Sequence, residues 1–181
     1  MNFNKTSKLL VSIIICQMAG VIGSVFTIPA IGSWYKTLNK PSFNPPNWIF
    51  GPVWTLLFLL MGISFYLVWD KKWVVKNKTK EIKNLKINPW FEKLWTGDWQ
   101  KINILSIFFV QLLLNVGWSV AFFGMQSPGT ALSILSMLWF SILFTIINFY
   151  RVSKLSAYLL VPYILWVSFA GILNYALLIL N

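Results

Sequence analysis

The sequence predicts an all-α integral membrane protein that forms a bundle of five transmembrane helices. Of its 181 residues, 57% are apolar and only 10% are charged, so the chain lacks the polar surface of a water-soluble domain of this size. Uncharged apolar stretches recur along the chain, each near or above the roughly 20 residues that cross a hydrocarbon core. We therefore predict a single five-helix membrane domain over residues 1–181.

The ends of the predicted spans are marked by Gly, Pro or charged residues, and no span contains Asp, Glu, Lys or Arg. The segments after the third and fourth spans, 126–129 and 151–154, are short. Short connections force neighbouring helices to lie antiparallel, which predicts an up-and-down bundle. The spans cover 9–31, 52–69, 102–124, 131–150 and 155–180.

The first span resembles a signal peptide in one respect, because Lys5 and Lys8 precede its apolar run. Its length favours a retained transmembrane helix instead. Small residues at helical spacing, Cys16, Gly20 and Ser24, favour a helix that packs closely against a neighbour.

Residues 32–51, between the first two spans, are rich in proline and aromatic side chains. Irregular backbone beside a bilayer is tolerated only where protein or a water-filled cavity satisfies its N–H and C=O groups. We therefore predict an outer lid loop over the mouth of a cavity. Its candidate residues are Trp34, Tyr35, Pro41, Phe43, Pro45 and Pro46.

Basic residues are concentrated on one predicted side of the membrane. All of the 15 Lys and Arg residues except Lys36 and Lys40 lie near the N-terminus, in a basic loop over 70–101, or in 151–154. The positive-inside rule predicts that this side, with the N-terminus, is cytoplasmic and that the C-terminus lies outside. A basic surface facing anionic lipid accounts for the net charge of +11, so no nucleic-acid partner is expected.

The predicted spans lack the side chains of conventional catalysis. The chain has no His, and its acidic residues all fall outside the spans. General acid–base chemistry, a zinc site and a proton relay therefore lack their parts within the bundle. We predict no metal site and no required cofactor. The acidic residues are Asp70, Glu81, Glu92 and Asp98.

Amides and indoles recur at helical spacing in the third and fifth spans, and Trp54 lies near the lid end of the second. Flat indoles beside amide side chains, beneath a lid, predict a pocket for a planar and mostly apolar ligand. Interhelical packing explains the same residues, and this alternative stays open. The stripes are Gln111, Asn115, Trp118 and Phe122 in the third span and Trp166, Ala170 and Asn174 in the fifth.

Gly117 and Ala121 form a small-xxx-small pair on another face of the third span. Such pairs allow close approach of two helices, within one chain or between two copies. They are the candidate interface of a homodimer.

Four ordered motifs together resemble the tryptophan-rich sensory protein/translocator protein family, which includes the mitochondrial peripheral-type benzodiazepine receptor. They contribute to three of the five spans and to the lid. The motifs are W-Y-x-x-L-x-K-P-x-F-x-P-P from Trp34, I-F-G-P-V-W-T from Ile49, L-N-x-x-W-S-x-x-F-F from Leu114 and P-Y-x-x-W-x-x-F-A-x-x-L-N from Pro162.

The resemblance implies a commonly dimeric five-helix fold that binds porphyrins and, in some members, sterols or synthetic drugs. It implies a ligand pocket on the lid side. In bacterial members, the tryptophans that match Trp54 and Trp166 are associated with light-dependent breakdown of protoporphyrin. The pocket positions that it matches are Trp54, Asn115, Trp118, Trp166 and Ala170.

One departure concerns sterols. The sterol pattern of mitochondrial members ends in a basic residue, and the fifth span has none after Lys154. The leading hypothesis is therefore a membrane receptor or sensor for porphyrin-like tetrapyrroles, with Asn115 and Asn174 as polar anchors. The alternatives are transport of the ligand, photo-oxidation in which Trp54 and Trp166 are catalytic, and a membrane scaffold that binds no ligand.

Overall fold

Every regular element of the computed structural model is a helix, within the residues that the structure describes, 4–71 and 97–181. Five stretches are long and apolar enough to cross a membrane, which confirms the predicted all-α fold class. They are α1 (Lys5–Gly32), α3 (Asn47–Trp69), α4 (Gly97–Ser119) with a π-helical turn (Val120–Gly124), α5 (Pro128–Val152), and α6 (Lys154–Leu159) followed by α7 (Val161–Leu180). The short helix α2 (Trp34–Thr37) lies between α1 and α3.

Several helices begin earlier than the sequence predicted. The first helix begins at Lys5 because the Asn4 side chain caps it, accepting a hydrogen bond from the Ser7 amide at 2.7 Å. The second span was predicted to begin at Pro52, but α3 begins at Asn47 and continues through this proline. Proline keeps a helical φ and removes only one hydrogen bond, here close to the helix start.

The predicted lid loop 32–51 is therefore shorter than expected and partly helical. It contains α2, and its last residues belong to the first turns of α3. The irregular segment that remains is 38–46. We define the lid as residues 33–46, and the lid end as the end of the bundle that these residues cover. Most of the predicted basic loop 70–101 lies outside the described residues.

The fifth span is interrupted at Leu160, between α6 and α7. Pro162 lacks the N–H that would donate to the carbonyl of Tyr158, and its ring crowds that carbonyl. On the other side of the break, the Leu160 amide donates to the carbonyl of Ala157, three residues back, at 3.1 Å. This bond tightens the last turn of α6. The break lies at the end of the bundle remote from the lid.

That remote end is densely packed. The ring of Phe108 stacks on Phe65 and on Phe149, with centroid separations of 4.8 and 5.7 Å. Ser64 and Ser156 donate their hydroxyls to each other's carbonyl oxygens at 2.8 and 2.7 Å, which joins α3 to α6. The consequence is a solid core at this end of the bundle, whereas the cavity described below lies nearer the lid.

Candidate functional site

A cavity of about 500 Å³ lies near the lid end, among α1, α3, α4 and α7. Its volume falls within the range of about 300–1,000 Å³ that is typical of small-molecule sites. All of the residues that the sequence predicted to bind ligand line it, although they come from three helices. These are Trp54, Asn115, Trp118, Trp166, Ala170 and Asn174.

Aromatic rings form one continuous wall of this pocket. The indole of Trp118 lies between Trp54, at a centroid distance of 6.3 Å, and Phe122, at 5.5 Å. The planes of neighbouring rings are tilted by only 30° and 25°. These rings contact one another and leave no slot between them, so a flat ligand would lie against the wall.

Trp166 lies in a second aromatic group, contributed by α3 and α7. Its indole contacts Phe50 at a centroid distance of 6.1 Å and Phe169 at 5.5 Å. Phe169 in turn contacts Phe43 of the lid at 6.5 Å. The two tryptophans singled out by the resemblance, Trp54 and Trp166, thus line the same cavity in different aromatic groups.

The two asparagines of the pocket have different hydrogen-bond environments. The Asn174 amide accepts from Trp118 Nε1 at 3.2 Å and donates to the Pro128 carbonyl at 2.8 Å. It therefore fixes the Trp118 indole. The Asn115 amide donates to the Tyr163 hydroxyl at 3.0 Å, and its Oδ1 has no partner within the described residues. Asn115 is the better placed of the two to bind a ligand donor.

The lid is held by its own polar contacts. The lid residue Tyr35 is buried, lines the cavity and donates its hydroxyl to Asn44 Oδ1, also in the lid, at 2.8 Å. Burial raises the pKa of the Tyr35 phenol, so the hydroxyl remains the donor in this bond at neutral pH. Of the other predicted lid residues, Trp34 contacts Phe122 and Phe43 contacts Phe169, whereas Pro41, Pro45 and Pro46 do not line the cavity.

The sequence analysis missed the contribution of α1. Gly20 and Ser24 were assigned to helix packing, yet both line the cavity, together with Gln17 and Thr27. The signal in the sequence was their spacing, since small residues every fourth position leave a groove that either a helix or a ligand fills. The structure gives this stripe both roles, because Gly20 also lies against the Phe58 ring.

The chain is similar in sequence to known proteins along nearly its whole length. The TspO/MBR family matches residues 12–180 of the chain. The chain belongs to this family. Five apolar helices and relatives along nearly the whole length make it an integral membrane protein of the TspO/MBR type.

Three relatives illustrate the similarity. The chain is 44% identical over 171 residues to the tryptophan-rich protein TspO of Chlorobaculum tepidum, covering 92% of this chain and 91% of the relative. It is 37% identical to the tryptophan-rich protein TspO of Archaeoglobus fulgidus, covering 96% and 97%. It is 34% identical to the human translocator protein, covering 85% and 78%. Together these relatives support a membrane sensor or translocator role.

The two members of the small-residue pair of this TspO/MBR protein, Gly117 and Ala121, differ in exposure. Ala121 is only 1% exposed and belongs to the buried cluster around Tyr35 and Phe122. Gly117 is half-buried, and a Cβ added to it would meet only the Ile134 side chain, at 3.9 Å. That Gly117 and Ala121 form the interface of a homodimer stays a prediction.

Proposed function

We propose that this TspO/MBR protein is a membrane receptor that binds porphyrin-like tetrapyrroles in the pocket beneath the lid. The observation that carries the proposal is the aromatic wall of Trp54, Trp118 and Phe122 in a cavity of about 500 Å³. A large flat ring system gains contact area on such a wall at a low cost in conformational entropy. Offset stacking of this kind is worth about 0.5–1.5 kcal/mol per ring pair beyond the burial of area.

The polar groups of the site suit a ligand with an apolar face and a charged edge. Asn115 offers a free acceptor within the pocket for a pyrrole N–H. The Lys40 ammonium lies 4.9 Å from the centroid of the Tyr35 ring, at the lid. An ammonium at this position would pair with the carboxylates of a porphyrin such as protoporphyrin. The ligand would thus lie with its apolar part deep in the pocket and its acids towards the lid.

Two other functions use the same pocket. Light-dependent breakdown of a bound porphyrin is favoured by Trp54 and Trp166, because both oxidisable indoles line the cavity. In that case the protein is an enzyme: the photoexcited porphyrin takes an electron from one of these two indoles, and dissolved dioxygen is the terminal oxidant. Transport across the bacterial cell membrane is consistent with the relative named translocator protein. Neither function requires a metal or a resident cofactor, because the porphyrin is itself the ligand.

A titration of purified protein with protoporphyrin in the dark tests the proposal through quenching of tryptophan fluorescence. We expect saturable quenching by wild type. The affinity for protoporphyrin should fall in Trp54→Phe and in Trp166→Phe. The binding free energy should weaken by about 0.5–1.5 kcal/mol for each indole that no longer stacks on the ligand. Trp139→Phe is the matched control, because Trp139 lies outside the cavity and donates its N–H to Ser168 at 2.8 Å.

Quenching that rises linearly and equally in all variants would contradict the proposal, since it would show mere partitioning into the micelle. Illumination of the complex then separates the alternatives. A receptor returns the pigment spectrum unchanged, whereas photo-oxidation changes it in wild type and not in Trp54→Phe or Trp166→Phe. Flux of protoporphyrin into sealed proteoliposomes would indicate transport.

A further inference from the structure

The lid is fastened across the end of the bundle. The Asn39 amide N–H donates to Asn181 Oδ1 at 2.9 Å, and Asn181 Nδ2 donates back to the Asn39 carbonyl at 3.1 Å. Asn39 Nδ2 also donates to the Leu180 carbonyl at 3.3 Å. These bonds tie the lid to the C-terminal end of α7, so access from water would require several bonds to break together.

The side of the pocket between α1 and α3 is shaped by helix packing, in contrast to the hydrogen-bonded lid. Towards the remote end the two helices touch closely, because a Cβ on Gly62 would lie 2.7 Å from the Ile13 Cα. Further towards the lid, beyond the contact of Gly20 with the Phe58 ring, α1 packs against α4 and its π-helical turn. A Cβ on Gly23 would lie 3.0 Å from the Ser119 hydroxyl, and one on Gly124 would lie 2.9 Å from the Phe26 ring.

The cavity therefore continues into a lateral slot between α1 and α3. Gln17 bridges the slot at its deep end, where its Nε2 donates to the Thr55 carbonyl at 3.1 Å. Above this bridge, residues that line the cavity are also open to the outside of the bundle. Their exposed fractions are 54% for Val21, 69% for Ile28 and 73% for Trp48.

The surroundings of this slot follow from the helices that form it. Both α1 and α3 are membrane spans, so the outer faces of Val21 and Ile28 lie against lipid hydrocarbon. The polar hydroxyls along the slot are satisfied within their own helices, as Ser24 donates to Val21 and Thr27 to Gly23. The apolar ring system of a ligand can therefore pass along the slot without separating Ser24 or Thr27 from its hydrogen-bond partner.

We propose that the ligand reaches the pocket sideways, from the hydrocarbon of the lid-side half of the bilayer, through the slot between α1 and α3. The lid is then a fixed roof. This inference rests on the proposed function for the identity of the ligand. The physical reason is that an apolar ring system partitions into lipid and meets an open slot there, but meets a fastened lid on the aqueous side.

The first test narrows the slot. Gly51 is exposed and lines the cavity at the slot, and a Cβ added to it would meet no atom within 4 Å, so a larger side chain there extends into open space. In proteoliposomes preloaded with protoporphyrin, we expect Gly51→Phe to slow association and dissociation together, each by about tenfold. Gly32→Phe is the control, because Gly32 is equally unobstructed and lies outside the cavity.

The second test fixes the lid. A short bismaleimide joins cysteines in an Asn39→Cys, Asn181→Cys variant, and Cys16 does not interfere because it is buried. We expect the cross-linked protein to bind protoporphyrin at the rate of the uncross-linked variant. A large fall in the association rate on cross-linking, or a loss of affinity in Gly51→Phe without slower association, would overturn the proposal.

A third test needs no porphyrin. In vesicles of dibrominated phosphatidylcholine, bromine quenches indoles that its acyl chains touch, and Trp54 and Trp118 lie behind the slot. We expect Gly51→Phe to recover part of the quenched emission, and Gly32→Phe to recover none. If wild type shows no saturable porphyrin binding, the proposed function fails, and this measurement still tests whether the slot is open to lipid. Equal quenching in Gly51→Phe and Gly32→Phe would overturn the proposed slot.

Discussion

At the scale of single residues, hydrogen bonding separates side chains that the sequence treats alike. Gln111 and Asn115 are amides on one helical stripe, and both are buried. Asn115 lines the pocket and donates to Tyr163, and its Oδ1 has no hydrogen-bond partner among the residues that the structure describes. Gln111 has no hydrogen-bond partner for either amide atom within the described part of the chain and does not line the cavity. The stripe therefore contains one amide suited to ligand binding, Asn115, and one that lowers the stability of the fold, Gln111.

We predict that Gln111→Leu stabilises the protein. A buried amide without partners costs about 1–3 kcal/mol, and leucine of similar length removes that cost. Thermal unfolding in detergent, followed by circular dichroism, should show a higher midpoint. Asn115→Leu is the matched control on the same stripe and should lower the midpoint, because it leaves the Tyr163 hydroxyl without its partner. A lower midpoint in Gln111→Leu would show that this amide is satisfied in the membrane protein.

At the scale of elements, glycines set the separation of α1 and α3. The two helices touch at Gly62 and part towards the lid, where the slot begins. Above the contact, the π-helical turn of α4 carries Phe122 and Phe123 against the Tyr35 ring, at centroid distances of 6.2 and 5.9 Å. The shape of the pocket thus depends on one tight helix contact and one local widening of a helix.

We predict that Gly62→Ala destabilises the bundle. The added Cβ would lie 2.7 Å from the Ile13 Cα and 3.1 Å from its amide nitrogen, so the backbone of one helix must move. Overpacking of this kind costs about 1–3 kcal/mol. The control is Gly51→Ala in the same helix, whose Cβ meets nothing within 4 Å and should leave the unfolding midpoint unchanged or slightly higher. Equal midpoints for the two variants would contradict a close contact between α1 and α3.

At the scale of the whole molecule, charge asymmetry predicts the orientation in the membrane. The Lys36 side chain is exposed at the lid, and Arg151 is exposed at the opposite end. The positive-inside rule predicts that the end that carries Arg151 faces the cytoplasm. On this prediction, the lid and the slot belong to the outer half of the bilayer.

We predict that a membrane-impermeant maleimide labels Lys36→Cys in intact cells and labels Arg151→Cys only after the cells are permeabilised. Cys16 gives no background because it is buried. Labelling of both positions in intact cells would indicate damaged membranes, which a cytoplasmic control protein detects. The reversed pattern, with Arg151→Cys labelled first, would contradict the predicted orientation.

The sequence by itself determined the class of this protein and the composition of its site. Apolar spans without charge can satisfy their backbone in lipid only as helices, so five such runs predict the bundle. Helical spacing predicted which faces of the third and fifth spans turn inwards, and the structure places Asn115, Trp118 and Asn174 on one cavity. These properties are local, because they depend only on residues within a few helical turns of each other.

Only the tertiary structure decided how the helices stand against one another. It placed Ala121 inside the protomer, used Asn174 to orient Trp118, and added α1 to the pocket wall. It also opened the slot beside Gly51, where α1 parts from α3. A stripe of small residues is equally compatible with a helix, a second copy or a ligand as its neighbour. Which of them fills the groove depends on crossing angles and long-range contacts, and no spacing within one helix encodes these.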